Sequence, residues 1–183
     1  MALPATYRRQ LHELATEQYG YVTTRDAARL GLPEHALRQI ADWGGITRVA
    51  FGVYRFDDIP PTGRDSFMEA VLIVGDGAFL MADAVLALHD LALVNPSRLR
   101  VGVPRRFRKN VPPTLEVIWR MVPAKDLEVF EHIPCTTVAR ALVDSMGIVM
   151  GERLRDAARE AADRGLLRRS EINRVLDKIG GEP

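Results

Sequence analysis

The sequence of 183 residues is 47% hydrophobic and 27% charged, a composition that fits one globular domain or two small ones and excludes a disordered chain. Its formal net charge of +1 excludes a strong field around the whole molecule, so any affinity for nucleic acid must come from local clusters of basic residues. The single cysteine, Cys135, excludes an internal disulfide and a cysteine-rich zinc module, and it favours a reducing compartment.

The sequence predicts neither a secretory signal nor a membrane span. Its start lacks a long apolar run, and the apolar run at residues 80–88 is interrupted by Asp83 and is too short to cross a bilayer. We therefore expect a soluble, cytoplasmic protein with no membrane partner.

Three helices are predicted near the start of the chain. The second begins at Thr23, whose hydroxyl can accept a hydrogen bond from the backbone N–H of Asp26, and ends at Gly31, which suits the left-handed position after a helix. Pro33 begins the third helix, where its missing N–H costs nothing. The apolar stripe of the first helix is Tyr7, Leu11, Leu14, Ala15 and Gln18, and that of the third is Ala36, Leu37, Ile40 and Ala41.

A β-hairpin is predicted to follow the three helices. Residues 46–49 and 53–56 are β-branched and aromatic runs joined by a short turn at residues 50–52. The order helix, short strand, helix, turn, helix, hairpin is that of a winged helix-turn-helix, which places its recognition helix in the DNA major groove. We expect DNA binding, and a winged helix used for protein docking is the alternative.

Candidate DNA contacts lie on the third helix and around it. Arg38 and Gln39 face outward and suit base reading, because arginine pairs with guanine and glutamine with adenine in the major groove. The alternative is that Arg38 and Asp42 form a surface ion pair. The other candidates are Glu34 and His35 near the helix start, for a base edge or a phosphate, and Arg25, Arg29, Arg48 and Arg55, for positioning on the DNA backbone.

A boundary between two domains is predicted at residues 57–63, which are acidic, then proline-rich, and end in glycine. We place a winged helix-turn-helix domain at residues 1–58 and a mixed α/β domain with a small sheet and C-terminal helices at residues 65–183, so the fold class is α+β. The elements predicted after the boundary are helices at residues 67–74 and 81–88, strands at residues 99–103, 115–119 and 127–130, and helices from Thr136 onward, the last of them capped by Ser170.

Six basic residues with no acidic residue among them form the most distinctive charge feature of the second half. They are Arg98, Arg100, Arg105, Arg106, Arg108 and Lys109, and Phe107 lies within the run. Clustered basic residues with an aromatic are typical of phosphate contact combined with base stacking. The alternatives are a surface for an acidic protein and a solvated loop.

The sequence predicts no catalytic residue, metal site or cofactor. His132 and Cys135 have the spacing of metal ligands, but no second pair accompanies them. Glu116 lies on a predicted strand where a nuclease needs a carboxylate, yet Ile118 occupies the position of the lysine. A degenerate nuclease-like enzyme is therefore the last of three function classes, after a DNA-binding regulator and a protein-docking module.

Three segments resemble the AbiEi-type antitoxins, the transcriptional regulators of the AbiE (type IV) abortive-infection toxin–antitoxin systems. They are residues 21–27 (YVTTRDA), residues 52–55 (GVYR) and residues 133–144 (IPCTTVARALVD). The resemblance covers most of the chain, and its most specific part is the signature at residues 136–144. Thr136 or Thr137 can cap the helix there. Arg140 can pair with Asp144 four residues on, so we interpret the signature as structural.

The resemblance implies a repressor that binds repeats in its own promoter, and a second, antitoxin domain that counteracts a toxin resembling nucleotidyltransferases. It leaves open whether the protein contacts the toxin directly, whether it oligomerises on DNA, and whether the basic run serves the promoter or the toxin. Phe51 departs from the family pattern at the tip of the hairpin, where a basic or small polar residue is expected. That departure argues against strong DNA contact by the tip.

The leading hypothesis is therefore a non-enzymatic antitoxin that binds its own promoter DNA through the winged helix and represses the operon. The alternative is a protein-docking module that neutralises the toxin by direct binding with little role for DNA.

Overall fold

A computed structural model describes residues 5–33 and 35–180. Glu34, one of the candidate DNA contacts, lies outside the described residues. The chain divides into two compact units, residues 1–75 and residues 76–183, and each contains helices and a small sheet. The predicted α+β fold class is thus confirmed. The assignment of functional domains to residues 1–58 and 65–183 stays a prediction.

In the part of the first unit that the structure describes, the chain forms four helices and a three-stranded antiparallel sheet of order β1-β3-β2. The register places Val22 opposite Tyr54, and a bulge between Arg48 and Ala50 bends the hairpin close to its tip. The elements are α1 (Ala5–Glu17), β1 (Tyr21–Thr23), α2 (Thr24–Arg29), α3 (Ala36–Trp43), β2 (Ile46–Ala50), β3 (Val53–Phe56) and α4 (Asp65–Val74).

Both ends of α2 are fixed by local hydrogen bonds that the sequence predicts. The hydroxyl of Thr23 accepts from the backbone N–H of Asp26, and the Asp26 carboxylate accepts from the backbone N–H of Thr23 at 2.9 Å. After the helix, Gly31 adopts φ +74°. The N–H groups of Gly31 and Leu32 then donate to carbonyls of the last turn of α2, as in a Schellman motif.

The start of α3 differs from the prediction, which placed it at Pro33. The helix begins at Ala36, and His35 occupies the capping position. The carbonyl of Pro33 accepts from the N–H of Ala36 at 2.9 Å, which closes a separate turn before the helix starts. Proline presets φ for a turn as well as for a first helical turn, so the residue alone does not distinguish the two.

The core of the first unit lies between α1, α2, α3 and the inner face of the sheet. Leu11 and Ala15 of the predicted α1 stripe are fully buried, and so is Phe56 at the end of β3. Burying these apolar side chains is the main contribution to the stability of the unit. The core residues are Leu11, Ala15, Val22, Ala27, Leu32, Ala36, Leu37, Ile40, Ile46, Tyr54 and Phe56.

Helix α4 packs within the first unit and binds polar side chains of its sheet and of α2. The hydroxyl of Tyr21 donates to the carboxylate of Glu69 at 2.6 Å. Burial, followed by the hydrogen bond and charge of Glu69, raises the pKa of Tyr21 well above its ordinary value. Arg25 donates to the carbonyl of Leu72 at 3.3 Å.

The second unit contains a five-stranded mixed sheet of order β6-β5-β4-β8-β7, followed by three helices. The pairs β4–β8 and β5–β6 are parallel, whereas β4–β5 and β7–β8 are antiparallel. The elements are β4 (Phe79–Leu80), α5 (Asp83–Leu88), β5 (Leu99–Val103), β6 (Leu115–Trp119), a 3-10 turn (Ala124–Asp126), β7 (Leu127–Phe130), β8 (Ile133–Thr136), α6 (Val138–Asp144), α7 (Gly151–Asp163) and α8 (Arg169–Gly180).

Two strands of this sheet are absent from the prediction, and both lie at its centre. Residues 79–80 form β4, and residues 133–136 form β8, so the chain becomes helical at Val138 rather than at Thr136. Gly102 of β5 lies directly opposite Phe79 of β4, and a Cβ atom at Gly102 would overlap the Phe79 ring. A larger residue at position 102 would therefore require the Phe79 ring to move.

No helix within residues 5–33 and 35–180 is long and apolar enough to cross a membrane.

Candidate nucleic-acid interface

Helix α3 has an apolar face and a polar face. Ala36, Leu37 and Ile40 are at most 2% exposed and face the core of the first unit. Arg38 is exposed and Gln39 is half-buried on the other side. The side chain of Arg38 thus faces outward, as predicted. The opposite face of its helix packs against the core of the first unit.

The exposed guanidinium of Arg38 forms no ion pair with another described residue. Asp42, which is also exposed, is not its partner, so the alternative of a surface ion pair is not seen. His35 is exposed at the capping position and makes no side-chain capping hydrogen bond. Arg38 and His35 are both presented to solvent at the start of α3.

Trp43, which is not among the predicted site residues, lies at the end of α3 with 59% of its surface exposed. Continuing the spacing of Leu37 and Ile40 by three residues places position 43 on the apolar face. Helical periodicity therefore predicts that Trp43 is buried in the core, although its side chain is exposed. The helix ends at this residue, and Gly44 at φ +90° turns the chain away into β2.

The hairpin of β2 and β3 exposes one arginine and one aromatic side chain near its tip. The Arg48 guanidinium carbon lies 5.6 Å from the centre of the Phe51 ring, and its Nε donates to the carbonyl of Ala50 at 3.3 Å. Phe51 is 88% exposed. Phe51, the residue that departs from the family pattern, thus carries no charge itself but orients the cation of Arg48 by a cation–π contact.

Two of the candidate backbone contacts are engaged inside the first unit. Arg55 donates to the carbonyls of Phe56 and Ile59 and lies 3.5 Å from the carboxylate of Asp65, and only 19% of its side chain is exposed. Arg25 is half-buried against α4. Arg29 differs from both, because its side chain is 76% exposed although it lies 3.4 Å from the Asp26 carboxylate.

The basic run of the second unit separates into two parts. Arg100 lies on β5, where its guanidinium contacts Asp83 at 2.6 Å and Glu116 at 3.2 Å. We define the basic loop as residues 105–109, which follow β5 directly. Its four cations are exposed and pair with no acidic side chain among the described residues, and they are Arg105, Arg106, Arg108 and Lys109. Arg98 is exposed before β5, and Phe107 is half-buried.

The signature at residues 136–144 forms an ion-pair network, and its predicted Arg140–Asp144 pair is confirmed. The Nε of Arg140 lies 2.8 Å from the Asp144 carboxylate, and its other side reaches Asp126 at 3.3 Å. Arg120 adds a second cation 3.3 Å from Asp144, whose side chain is 5% exposed. The hydrogen bond to Asp144 raises the pKa of Arg140. Thr137, rather than Thr136, caps α6.

A comparison with protein families matches residues 9–56 to the family described as transcriptional regulator, AbiEi antitoxin. The matched segment runs from α1 to the end of β3 and contains α3 with Arg38. The resemblance stated from the sequence is confirmed over these residues, and the match supports a regulatory role in a toxin–antitoxin system.

The solved structures that are similar to this chain include the RV2827C protein from Mycobacterium tuberculosis. The two are 16% identical with a TM-score of 0.43, over 97% of this chain and 82% of that chain. A comparison with the curated proteins gives no match.

Proposed function

We propose that the first unit is a winged helix-turn-helix that binds promoter DNA, so that the protein represses its own operon as the antitoxin of a toxin–antitoxin pair. The observation that carries the proposal is the exposed Arg38 on α3, a helix whose opposite face is held in the core. A helix fixed by its buried side can enter the major groove without rearrangement.

The roles of the surrounding residues follow from their exposure. Arg38 suits a bidentate contact with guanine, and Gln39 suits one with adenine. Arg29 and Arg48 suit phosphate contacts, since Arg29 is exposed near α3 and Arg48 is exposed in the hairpin. We leave Arg25 and Arg55 out of the proposed interface, because their guanidinium groups already bind carbonyls of the first unit.

The test of the proposal is the affinity of the purified chain for the DNA upstream of its own gene, measured by fluorescence anisotropy at fixed salt. Arg38→Ala is expected to cost about 1–3 kcal/mol of specific binding, which is a weakening of roughly five- to 150-fold. Arg38→Lys keeps the charge but loses the two-pronged geometry, so it is expected to lose discrimination between sequences more than affinity.

Arg159→Ala is the matched control, because Arg159 is an exposed helical arginine of the second unit that pairs with Asp156 three positions earlier on the same helix surface. Its affinity for the DNA is expected to equal that of the unchanged protein. An Arg38→Ala variant that binds the same DNA as tightly as the control overturns the proposal and favours protein docking.

Counteraction of a toxin is the second part of the proposal, and the basic loop supports it. Its four exposed cations lack carboxylate partners among the described residues, so they are available to an acidic surface of a nucleotidyltransferase-like toxin or to DNA phosphates. We propose no enzymatic activity. The carboxylate of Glu116, the one residue in a nuclease-like position, lies 3.2 Å from Arg100 and is thereby engaged.

A further inference from the structure

Three side chains that can bind a metal meet in the second unit, away from the proposed DNA-binding residues. They are His89 directly after α5, Glu128 on β7 and Cys135 on β8. One imidazole nitrogen, one carboxylate oxygen and the thiol sulfur all lie within 4.8 Å of one another. Sequence spacing pairs His132 with Cys135 instead, because His89 is 46 positions away from the cysteine in sequence.

The fold itself brings the three residues together. Glu128 and Cys135 are directly opposite each other in the antiparallel β7–β8 pair, and Cys135 also pairs with Leu80 on the central strand β4. His89 ends α5, and its ring lies 4.1 Å from the ring of Phe130 between centres. Strand register fixes two of the side chains, and an aromatic contact orients the third.

Burial and chemistry favour a cation among these side chains. Cys135 is 0% exposed and His89 is 2% exposed, whereas Glu128 lies on the exposed side. A metal ion binds the cysteine as thiolate and the histidine as neutral imidazole, and its charge stabilises the thiolate in a buried site.

We propose that His89, Glu128 and Cys135 bind one divalent transition-metal ion of the zinc class. Thiolate, imidazole and carboxylate together are the ligand types of Zn²⁺ and Co²⁺, whereas Mg²⁺ and Ca²⁺ require oxygen ligands. The ligand atoms of a tetrahedral zinc ion lie about 3.5 Å apart, so side-chain movements of about 1 Å close the site. Water completes the coordination on the exposed side.

The bound ion would act as a structural link. It would join α5 to the β7–β8 hairpin, which lies at the edge of the five-stranded sheet. Because the folded chain binds the ion and the unfolded chain does not hold the three ligands together, binding is expected to raise the unfolding temperature. The inference does not depend on the proposed DNA binding, since all three ligands lie in the second unit.

The experiment uses the full chain, freed of metal with a chelator and then titrated with Zn²⁺ by calorimetry. We expect one ion per chain, and at least a tenfold loss of affinity in Cys135→Ser and in His89→Gln. Titration with Co²⁺ is expected to produce a thiolate-to-cobalt charge-transfer band that Cys135→Ser lacks. His132→Gln is the matched control, because His132 lies three positions from Cys135 in an exposed turn outside the cluster, and it is expected to bind Zn²⁺ like the unchanged chain.

Several outcomes overturn the inference. One is the absence of stoichiometric Zn²⁺ binding, another is unchanged binding in both ligand variants, and a third is loss of binding in His132→Gln. If Cys135→Ser does not fold, the Co²⁺ spectrum of the unchanged chain decides, because a bound ion without a charge-transfer band excludes Cys135 as a ligand.

Discussion

Arg140 is the centre of the ion-pair network around residues 136–144. Its guanidinium lies between the carboxylates of Asp144 and Asp126, and only Arg120 offers Asp144 another cation among the described residues. Removing one partner of a buried pair leaves a carboxylate without compensation. We therefore expect the network to stabilise the second unit.

Arg140→Met is expected to lower the free energy of unfolding by about 2–4 kcal/mol, because Asp144 stays buried with one cation instead of two. The measurement is urea denaturation followed by circular dichroism. Arg164→Ala is the control, since its pair with Glu160 is exposed on a helix surface and is worth about 0.5 kcal/mol or less. Equal losses in the two variants would contradict a structural role for the network.

Tyr21 makes the stability of the first unit sensitive to alkaline pH. An unfolded tyrosine ionises near pH 10, whereas burial and Glu69 raise the pKa of Tyr21 in the folded chain. Above about pH 10 the unfolded state therefore binds fewer protons than the folded state, and the free energy of unfolding falls as the pH rises.

Tyr21→Phe is expected to remove this contribution, so the loss of stability between about pH 9 and pH 11 becomes smaller than in the unchanged chain. At neutral pH the variant is expected to be less stable by about 1 kcal/mol, because the hydrogen bond to Glu69 is gone. Urea denaturation at a series of pH values measures both effects. Identical pH dependence of stability in the two proteins would contradict this role of Tyr21.

Gly31 determines how α2 ends and where the turn before α3 begins. Its φ of +74° is strained for any residue with a Cβ, although no atom within 4 Å would touch that Cβ. Gly31→Ala is therefore expected to cost about 1 kcal/mol of unfolding free energy from backbone strain alone. Gly63→Ala is the control, since Gly63 has the same open surroundings without a positive φ and is expected to change stability by less than about 0.5 kcal/mol. Thermal denaturation compares the two.

The elements that sequence patterns predict are those with local signals. The capping box of α2 and the left-handed Gly31 follow from residue types a few positions apart, and the structure has both. Strands β4 and β8 lack such signals, because β4 is two residues long and β8 contains Pro134, which is disfavoured within a sheet. The sheet tolerates Pro134 because β4 reaches β8 only at Cys135. The β4–β5 and β4–β8 pairings join segments far apart in the sequence and cannot be read from neighbouring residues, whereas β8 also pairs with β7 across the turn at residues 131–132.

In the candidate site, too, features with local signals can be predicted and features that depend on distant residues cannot. The outward position of Arg38 follows from helical spacing, and the structure has it there. The engagement of Arg25 depends on Leu72 of α4, which lies 47 positions further along the chain, and that of Arg55 depends on the Ile59 carbonyl and on Asp65 of α4, which the prediction places in the other domain. A side chain's exposure can be predicted from its own helix, whereas its partners depend on the tertiary fold.

For the whole molecule, the near-neutral net charge of +1 makes the salt dependence of DNA binding informative. The affinity falls with salt by a slope of about −0.9 per phosphate contact. The two arginines proposed to contact phosphates, Arg29 and Arg48, alone predict a slope of about −2, and adding the four cations of the basic loop predicts about −5. We expect the steeper slope, since the loop cations are exposed and carry no ion pair with a described residue.

Reversing Arg105, Arg106 and Arg108 to glutamate is expected to reduce the slope to about −3, measured by anisotropy between about 50 and 200 mM salt. The matched control reverses Arg153, Arg159 and Arg164, which are exposed on or beside α7, and changes the net charge equally. If the loop reversal leaves the slope unchanged but abolishes rescue from the toxin, the loop serves the toxin and not the DNA. If neither changes, the loop has neither role.

Helix α4 has a consequence for exchanging the first unit between related chains. Tyr21 and Arg25 donate to Glu69 and Leu72 of this helix, and Arg55 pairs with its Asp65 in addition to the carbonyls of Phe56 and Ile59. A graft that stops at residue 58 would carry the hairpin and α3 but would remove Glu69, Leu72 and Asp65 as partners of these side chains. A chimera joined after residue 75 would carry the acceptors with it, so the transferable piece is longer than the family match itself.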